Sequence, residues 1–135
     1  MTAIADAFTV LLDEGTPVKA ADPFLHRGHR VIYHSDVLAG GATDDVVVVT
    51  AILKKAILIA VDGDMKRMVK RFGAPNNHEK YSKLNLVFVS CKEVLAAKRL
   101  KHALTFIEGE WRVACEKSSR RLWVDIGAHS LTTYR

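Results

Sequence analysis

Residues 56–64 read AILIAVDGD, an apolar run that ends in an acidic turn. Its apolar part, Ala56–Val61, predicts a strand, and the acidic turn Asp62-Gly63-Asp64 ends it. Apolar runs of this kind alternate with amphipathic stretches along the chain, which is typical of βαβ units. We therefore predict an α/β fold with a central, mostly parallel sheet of about five strands.

Working outward toward the N-terminus, the pattern predicts a strand, a helix, a strand, a loop and a helix: Phe8–Leu12, Thr16 to about Arg27, Arg30–His34, Ser35–Thr43 and Asp44 to about Lys55. Pro23 fits poorly inside the first of these helices, because a mid-helix proline kinks or shortens a helix. The run Val46–Val49 favours a strand by propensity. The N-terminal signal Thr43-Asp44-Asp45 nevertheless favours a helix there.

Toward the C-terminus, the pattern predicts a basic helix, a polar loop, a strand, a long amphipathic helix, a strand and a tail: Met65–Phe72, Ala74–Lys83, Leu84–Val89, a helix from Ser90, Arg121–Ile126 and Ala128–Arg135. Ser90 and Glu93 have the spacing of a capping box, which places the start of the long helix.

Size and charge limit the classes of protein. The 135 residues fit a single domain, residues 1–135, since domains usually have about 100–200 residues. The net charge of +5 is compatible with a polyanionic partner such as RNA or DNA.

Cysteine usage and hydropathy exclude other classes. The two cysteines, Cys91 and Cys115, have no CxxC spacing, so a structural zinc site is not expected. The N-terminus lacks the basic and apolar regions of a secretory signal. No apolar run reaches the ~20 residues of a membrane span. We therefore expect a cytoplasmic protein without a membrane partner.

Acidic residues follow strands or open a helix at three places: Asp13-Glu14, Asp44-Asp45, and Asp62 with Asp64. In an open parallel sheet, ligands bind outside the carboxyl ends of the strands, so the first and third strands deliver their acids to one edge. Crowded carboxylates stay ionised when a cation lies between them. Oxygen ligands suit Mg²⁺ or Mn²⁺, and this predicts a divalent metal site. Taken singly, each acid also has a structural reading, as a helix-start residue, a turn residue or the cap of a helix.

Four motifs in this order resemble the PIN-like nuclease domains, in particular the group described as predicted nucleases of bacterial toxin–antitoxin systems. The motifs are Leu11–Glu14, Arg27–Val31, Gly40–Asp44 and Asp62–Asp64. The resemblance covers roughly residues 8 to 72 with motifs, and the later strand–helix–strand pattern agrees in outline. It implies a three-layer domain with helices on both sides of the sheet.

The resemblance also implies a Mg- or Mn-dependent ribonuclease. Its catalytic, metal-binding acids would be Asp13, Asp44, Asp62 and Asp64, with Glu14 as a further ligand. The metal would polarise the scissile phosphate and activate a water molecule. Three positions depart from the family pattern: Gly15, Ala60 and Met65 stand where related domains often have Asn, Thr and Phe.

Basic residues next to the acids suggest where a substrate binds. The patch on the predicted basic helix, formed by Lys66, Arg67, Lys70 and Arg71, is expected to contact the phosphate backbone of RNA. The other reading of this patch is a solvated helix face. The expected partners are RNA as substrate, an antitoxin protein and a second copy of the chain in a homodimer.

Two alternatives remain open. The first is a PIN-like module without activity that binds a protein or RNA. The second is a receiver-like phosphoacceptor domain, which also places acids after its first and third strands, here Asp13-Glu14 and Asp62, and a hydroxyl after its fourth, here Ser90. Against the receiver reading, the last strand lacks the Lys-Pro pair of such domains, and that plan does not account for Asp44.

Overall fold

Six strands form the central sheet of the computed structural model, which describes residues 7–73, 82–117 and 122–134. In chain order they are β1 (Thr9–Leu12), β2 (Arg30–Tyr33), β3 (Ala56–Val61), β4 (Asn85–Val89), β5 (Trp123–Ile126) and β6 (Leu131–Thr133). Their order in the sheet is β2-β1-β3-β4-β5-β6. The first five strands are parallel, and β6 is antiparallel to β5. The predicted α/β fold with a mostly parallel sheet is confirmed.

Helices pack on both faces of this sheet. The α-helices of the described residues are α1 (Asp22–His26), α2 (His34–Val37), α3 (Asp44–Leu53), α4 (Met65–Phe72) and α5 (Ala96–Glu116). One apolar core lies between the sheet and α1 with α5, and a second lies between the sheet and α3 with α4. The fold therefore has three layers.

The strand β3, from the apolar stretch 56–61, contributes to both cores. Ile57 and Ile59 belong to the core under α1 and α5, whereas Leu58 and Ala60 belong to the core under α3 and α4. All four are fully buried. An apolar run without alternation is what a strand covered on both faces requires.

The valine run is helical, as predicted. Thr43 caps α3 by accepting a hydrogen bond from the Val46 N–H at 3.4 Å. Val47 and Val48 are buried, whereas Val49 is 53% exposed. Tertiary packing of one helix face outweighs the β-propensity of these residues.

Several local predictions are wrong at the boundaries. The single helix predicted from Thr16 is a 3-10 turn, Val18–Ala21, followed by α1, which places Pro23 in a first turn where no hydrogen bond is lost. The segment predicted as a loop contains α2. The predicted loop Ala74–Lys83 lies mostly outside the described residues.

At the C-terminal side, the capping box is also wrong. The Ser90 hydroxyl donates a hydrogen bond to Asp125 Oδ1 at 2.7 Å, and the long helix begins only at Ala96. The predicted tail contains β6, which pairs with β5 from Val124 to Ile126. An antiparallel strand at the edge of a parallel sheet depends on this pairing rather than on a local sequence signal.

Candidate functional site

The carboxyl ends of β1 and β3 lie side by side at the point where the chain reverses its direction of winding. From β1 the chain continues to β2 on one side, and β3 lies on the other side of β1. The register pairs Leu12 with Ile59, so Asp13 directly follows the paired residues of β1. Crevices at such switch points are the usual ligand sites of open α/β sheets.

Asp13 and Asp44 are brought together by one guanidinium group. Arg71 Nη2 donates a hydrogen bond to Asp13 Oδ2 at 2.8 Å, and Arg71 Nε donates one to Asp44 Oδ1 at 2.9 Å. The Asp13 side chain is 9% exposed, the Arg71 side chain 22% and the Asp44 side chain 42%. A positive charge, that of the Arg71 guanidinium, therefore lies between these two carboxylates.

The charge of Arg71 is secured by these contacts. Burial by itself lowers the pKa of Arg71, but the hydrogen bonds and negative charges of Asp13 and Asp44 outweigh burial and raise the pKa above its usual value. Arg71 is therefore a permanent cation at this edge of the sheet.

Asp62 and Asp64 make their contacts with the first turn of α4. Asp62 accepts from Arg67 Nη1 at 3.0 Å and from the Asp64 N–H at 2.9 Å. Asp64 caps α4 by accepting from the N–H groups of Lys66 and Arg67. Asp64 thus has the cap role that the sequence left as its structural alternative. Within the described residues, no group of three or more His, Cys, Asp and Glu side chains is arranged to hold a metal ion.

Glu14 fixes the loop in front of α3. Both oxygens of its exposed carboxylate accept from the Gly41 N–H, at 3.2 and 3.1 Å. Gly41 has a φ of +75°, which an L side chain rarely adopts. Gly40 and Gly41 thus let the backbone approach the Glu14 carboxylate. Glu14 in turn positions the segment that leads into Asp44.

A cleft of about 460 Å³ opens beside Asp13. Its polar lining includes Asp13, Glu14, Thr16, His34 and Asp36. Thr16 donates from its hydroxyl to the Ile59 carbonyl at 3.0 Å, which fixes the loop after β1. His34 is buried, and it lies at this end of the sheet because it directly follows β2, the neighbour of β1.

The basic patch on α4 divides into two pairs. Arg67 and Arg71 hold carboxylates, whereas Lys66 and Lys70 are exposed. Lys66 and Lys70 are therefore the members of the patch that remain available for a polyanion.

A second polar network lies at the opposite end of the sheet, where the strands begin. Glu108 accepts from Arg27 Nη2 and pairs with His29 Nε2, each at 2.7 Å. The Phe8 N–H donates to His29 Nδ1 at 3.1 Å, so the ring proton is on Nε2 and points at Glu108. Because Phe8 and His29 precede β1 and β2, this network joins the amino ends of the strands to α5 and is structural.

Comparison with protein-family models, with curated proteins and with solved structures gives no match. Among the described residues, no helix combines the length and the apolarity that crossing a bilayer requires.

Proposed function

We propose that this chain is a metal-dependent nuclease that hydrolyses the phosphodiester bonds of RNA. The observation that carries the proposal is the convergence of two carboxylates from separate elements. Asp13 and Asp44 both lie within hydrogen-bond distance of one side chain, and Asp13 also lines an open cleft. The resemblance of the sequence motifs to PIN-like domains supports the same reading, with a toxin of a toxin–antitoxin pair as its specific form.

The donor set fits a hard divalent cation. Asp13 and Asp44 offer only oxygen atoms, and Mg²⁺ in proteins is commonly held by one or two carboxylates together with water and substrate phosphates. Three further acids, Asp62, Asp64 and Glu14, follow β3 and β1 at the same end of the sheet. Their negative charges would also attract a cation. Two carboxylates from the chain are therefore sufficient for Mg²⁺ or Mn²⁺.

The residues around the acids have separate tasks in this proposal. A bound Mg²⁺ or Mn²⁺ would supply Lewis-acid polarisation of the phosphate and a more acidic water. Asp13 and Asp44 would hold that cation. Lys66 and Lys70 would bind the phosphate backbone without reading its sequence, so binding would weaken with salt. Glu14 would keep the glycine loop, and with it the start of α3, in place.

Calorimetric titration with Mn²⁺ tests the proposal, on the wild type and on Asp13→Asn and Asp62→Asn. We expect binding in the wild type and its loss in Asp13→Asn. Binding that Asp62→Asn also loses would add Asp62 to the ligands. Cleavage of a labelled single-stranded RNA, measured with Mn²⁺ and with chelator, then tests the activity. A folded wild type that binds no Mn²⁺ at millimolar concentration would refute the nuclease proposal.

An interaction module without activity is the second candidate, and the ion pairs of Arg71 favour it. Since Arg71 already neutralises Asp13 and Asp44, the acids have a structural reason to be present. The module would bind a protein such as an antitoxin, a second copy of itself, or RNA. Sedimentation of the purified chain, alone and with RNA, shows whether it binds a second copy of itself or RNA.

The strand order also bears on the receiver-like alternative. The order β2-β1-β3-β4-β5 is that of flavodoxin-like doubly wound folds. The segment 122–134, which contains β5 and β6, has no lysine to contact a phosphorylated aspartate. Ser90 after β4 is bound to Asp125. The absence of a lysine in this segment and the bond between Ser90 and Asp125 therefore favour the nuclease over the phosphoacceptor.

A further inference from the structure

We propose that Arg71 is an internal competitor for the cation site and lowers the affinity of Asp13 and Asp44 for a divalent metal. This inference rests on the proposed metal site and concerns what limits its occupancy.

Arg71 is held firmly between the two acids. It uses two different nitrogen atoms, Nη2 for Asp13 and Nε for Asp44, and both bonds are shorter than 3 Å. Its guanidinium carbon lies 4.5 Å from the centre of the Phe72 ring, and Phe72 is itself fully buried. The side chain is therefore part of the packed end of α4 rather than a mobile surface group.

A divalent cation on the same carboxylates would meet this positive charge. Hydrogen bonds between a guanidinium and a carboxylate are the strong, charge-assisted kind. A guanidinium keeps its proton at any ordinary pH, so the group does not escape by losing it. The metal must instead break both bonds and displace the guanidinium, or bind beside it against charge repulsion. Either route weakens metal binding.

Arg67 provides a matched control on the same helix. Within the part of the chain that the structure describes, its ion pair is with Asp62, and its side chain is 63% exposed against 22% for Arg71. An exposed pair of this kind contributes little in water. Removing the charge of Arg67 therefore changes the net charge of the chain by the same amount without freeing the Asp13–Asp44 pair.

The test is calorimetric titration with Mn²⁺ on the wild type, Arg71→Gln and Arg67→Gln. Glutamine removes the positive charge and keeps a polar side chain near the acids. We expect the Kd of Arg71→Gln for Mn²⁺ to fall by about tenfold or more, a change of about 1.4 kcal/mol. Arg67→Gln should tighten Mn²⁺ binding less than Arg71→Gln does, because it frees Asp62 and leaves the Asp13–Asp44 pair bound to Arg71. The double variant Asp13→Asn/Arg71→Gln should lose the gain, which places it at this acid pair.

The possible results separate this inference from the proposed function. If the wild type binds Mn²⁺ and Arg71→Gln binds it no more tightly, Arg71 is a positioning group or a bystander, and only the inference fails. If both proteins are folded by circular dichroism and neither binds Mn²⁺, the proposed metal site fails and the inference fails with it.

A second variant covers the case in which Arg71→Gln does not fold. Arg71→Lys keeps one positive charge, but a single ammonium lacks the planar fork that reaches two carboxylates. It should bind Mn²⁺ more tightly than the wild type. An unchanged or weaker affinity in Arg71→Lys would overturn the competitor role.

Discussion

Replacing Asp13 by asparagine in the absence of metal should destabilise the protein, because the nearly buried Asp13 carboxylate forms an ion pair with Arg71. The exchange keeps the size of the side chain and an acceptor oxygen for Arg71 Nη2, but it removes the negative charge. Hydrogen bonds to charged groups contribute about 1.5–3 kcal/mol, and in the variant only the Arg71 side of the bond is still charged. The expected loss is therefore about 1–2 kcal/mol in the free energy of unfolding.

The same exchange at Asp44 should destabilise the protein less, because Asp44 is more exposed than Asp13. The Asp44 side chain is 42% exposed, against 9% for Asp13, so water screens its attraction to Arg71. Asp44→Asn should cost less than about 1 kcal/mol, the range of exposed ion pairs. Asp36→Asn is the matched control, because Asp36 is exposed at the same cleft, and it should stay within about 0.5 kcal/mol of the wild type.

Urea unfolding in a chelating buffer, followed by circular dichroism, measures all three variants. A thermal scan should show the Asp13→Asn loss as a fall in Tm of roughly 3–8 °C for a chain of this size. An Asp13→Asn protein as stable as the wild type, or more stable, would mean that the Arg71 bridge does not form in solution. The competitor role of Arg71 would then lose its basis as well.

Three further predictions concern buried groups outside the Asp13–Asp44 pair. Glu108→Ala should cost about 3 kcal/mol, because it leaves the buried His29 N–H without its acceptor, whereas Glu116→Ala at an exposed position of α5 should be near neutral in the same urea assay. Val48→Ala should cost about 2 kcal/mol by opening a cavity under α3, while Val49→Ala on the exposed side should gain up to about 0.5 kcal/mol; equal effects would contradict the helical valine run. Burial raises the pKa of the Cys91 thiol despite the opposing charge of Arg99, so iodoacetamide should alkylate the exposed Cys115 first at neutral pH, as peptide mass spectrometry would show.

Much of the fold is determined by local patterns that a sequence displays directly. The apolar run of β3, the Thr43 cap of α3 and the glycine after α4 each involve residues close in the chain, so their signals survive without tertiary information. The capping box at Ser90 misled because a serine hydroxyl can bond to any nearby acceptor. Asp125, 35 residues away, provides that acceptor.

The sequence by itself also determined that acids follow β1 and β3 and open α3, which are positions at one edge of a parallel sheet. Only the tertiary structure decided what these acids contact. Arg71 is 58 residues from Asp13 and 27 from Asp44, and it reaches both because the packing of Met68 and Phe72 seats α4 against the sheet beside α3. Acids at the ends of strands can be identified from the sequence because strand ends have local signals. Arg71 could not be identified as their counter-ion, because ion pairing depends on distances that are set by tertiary packing.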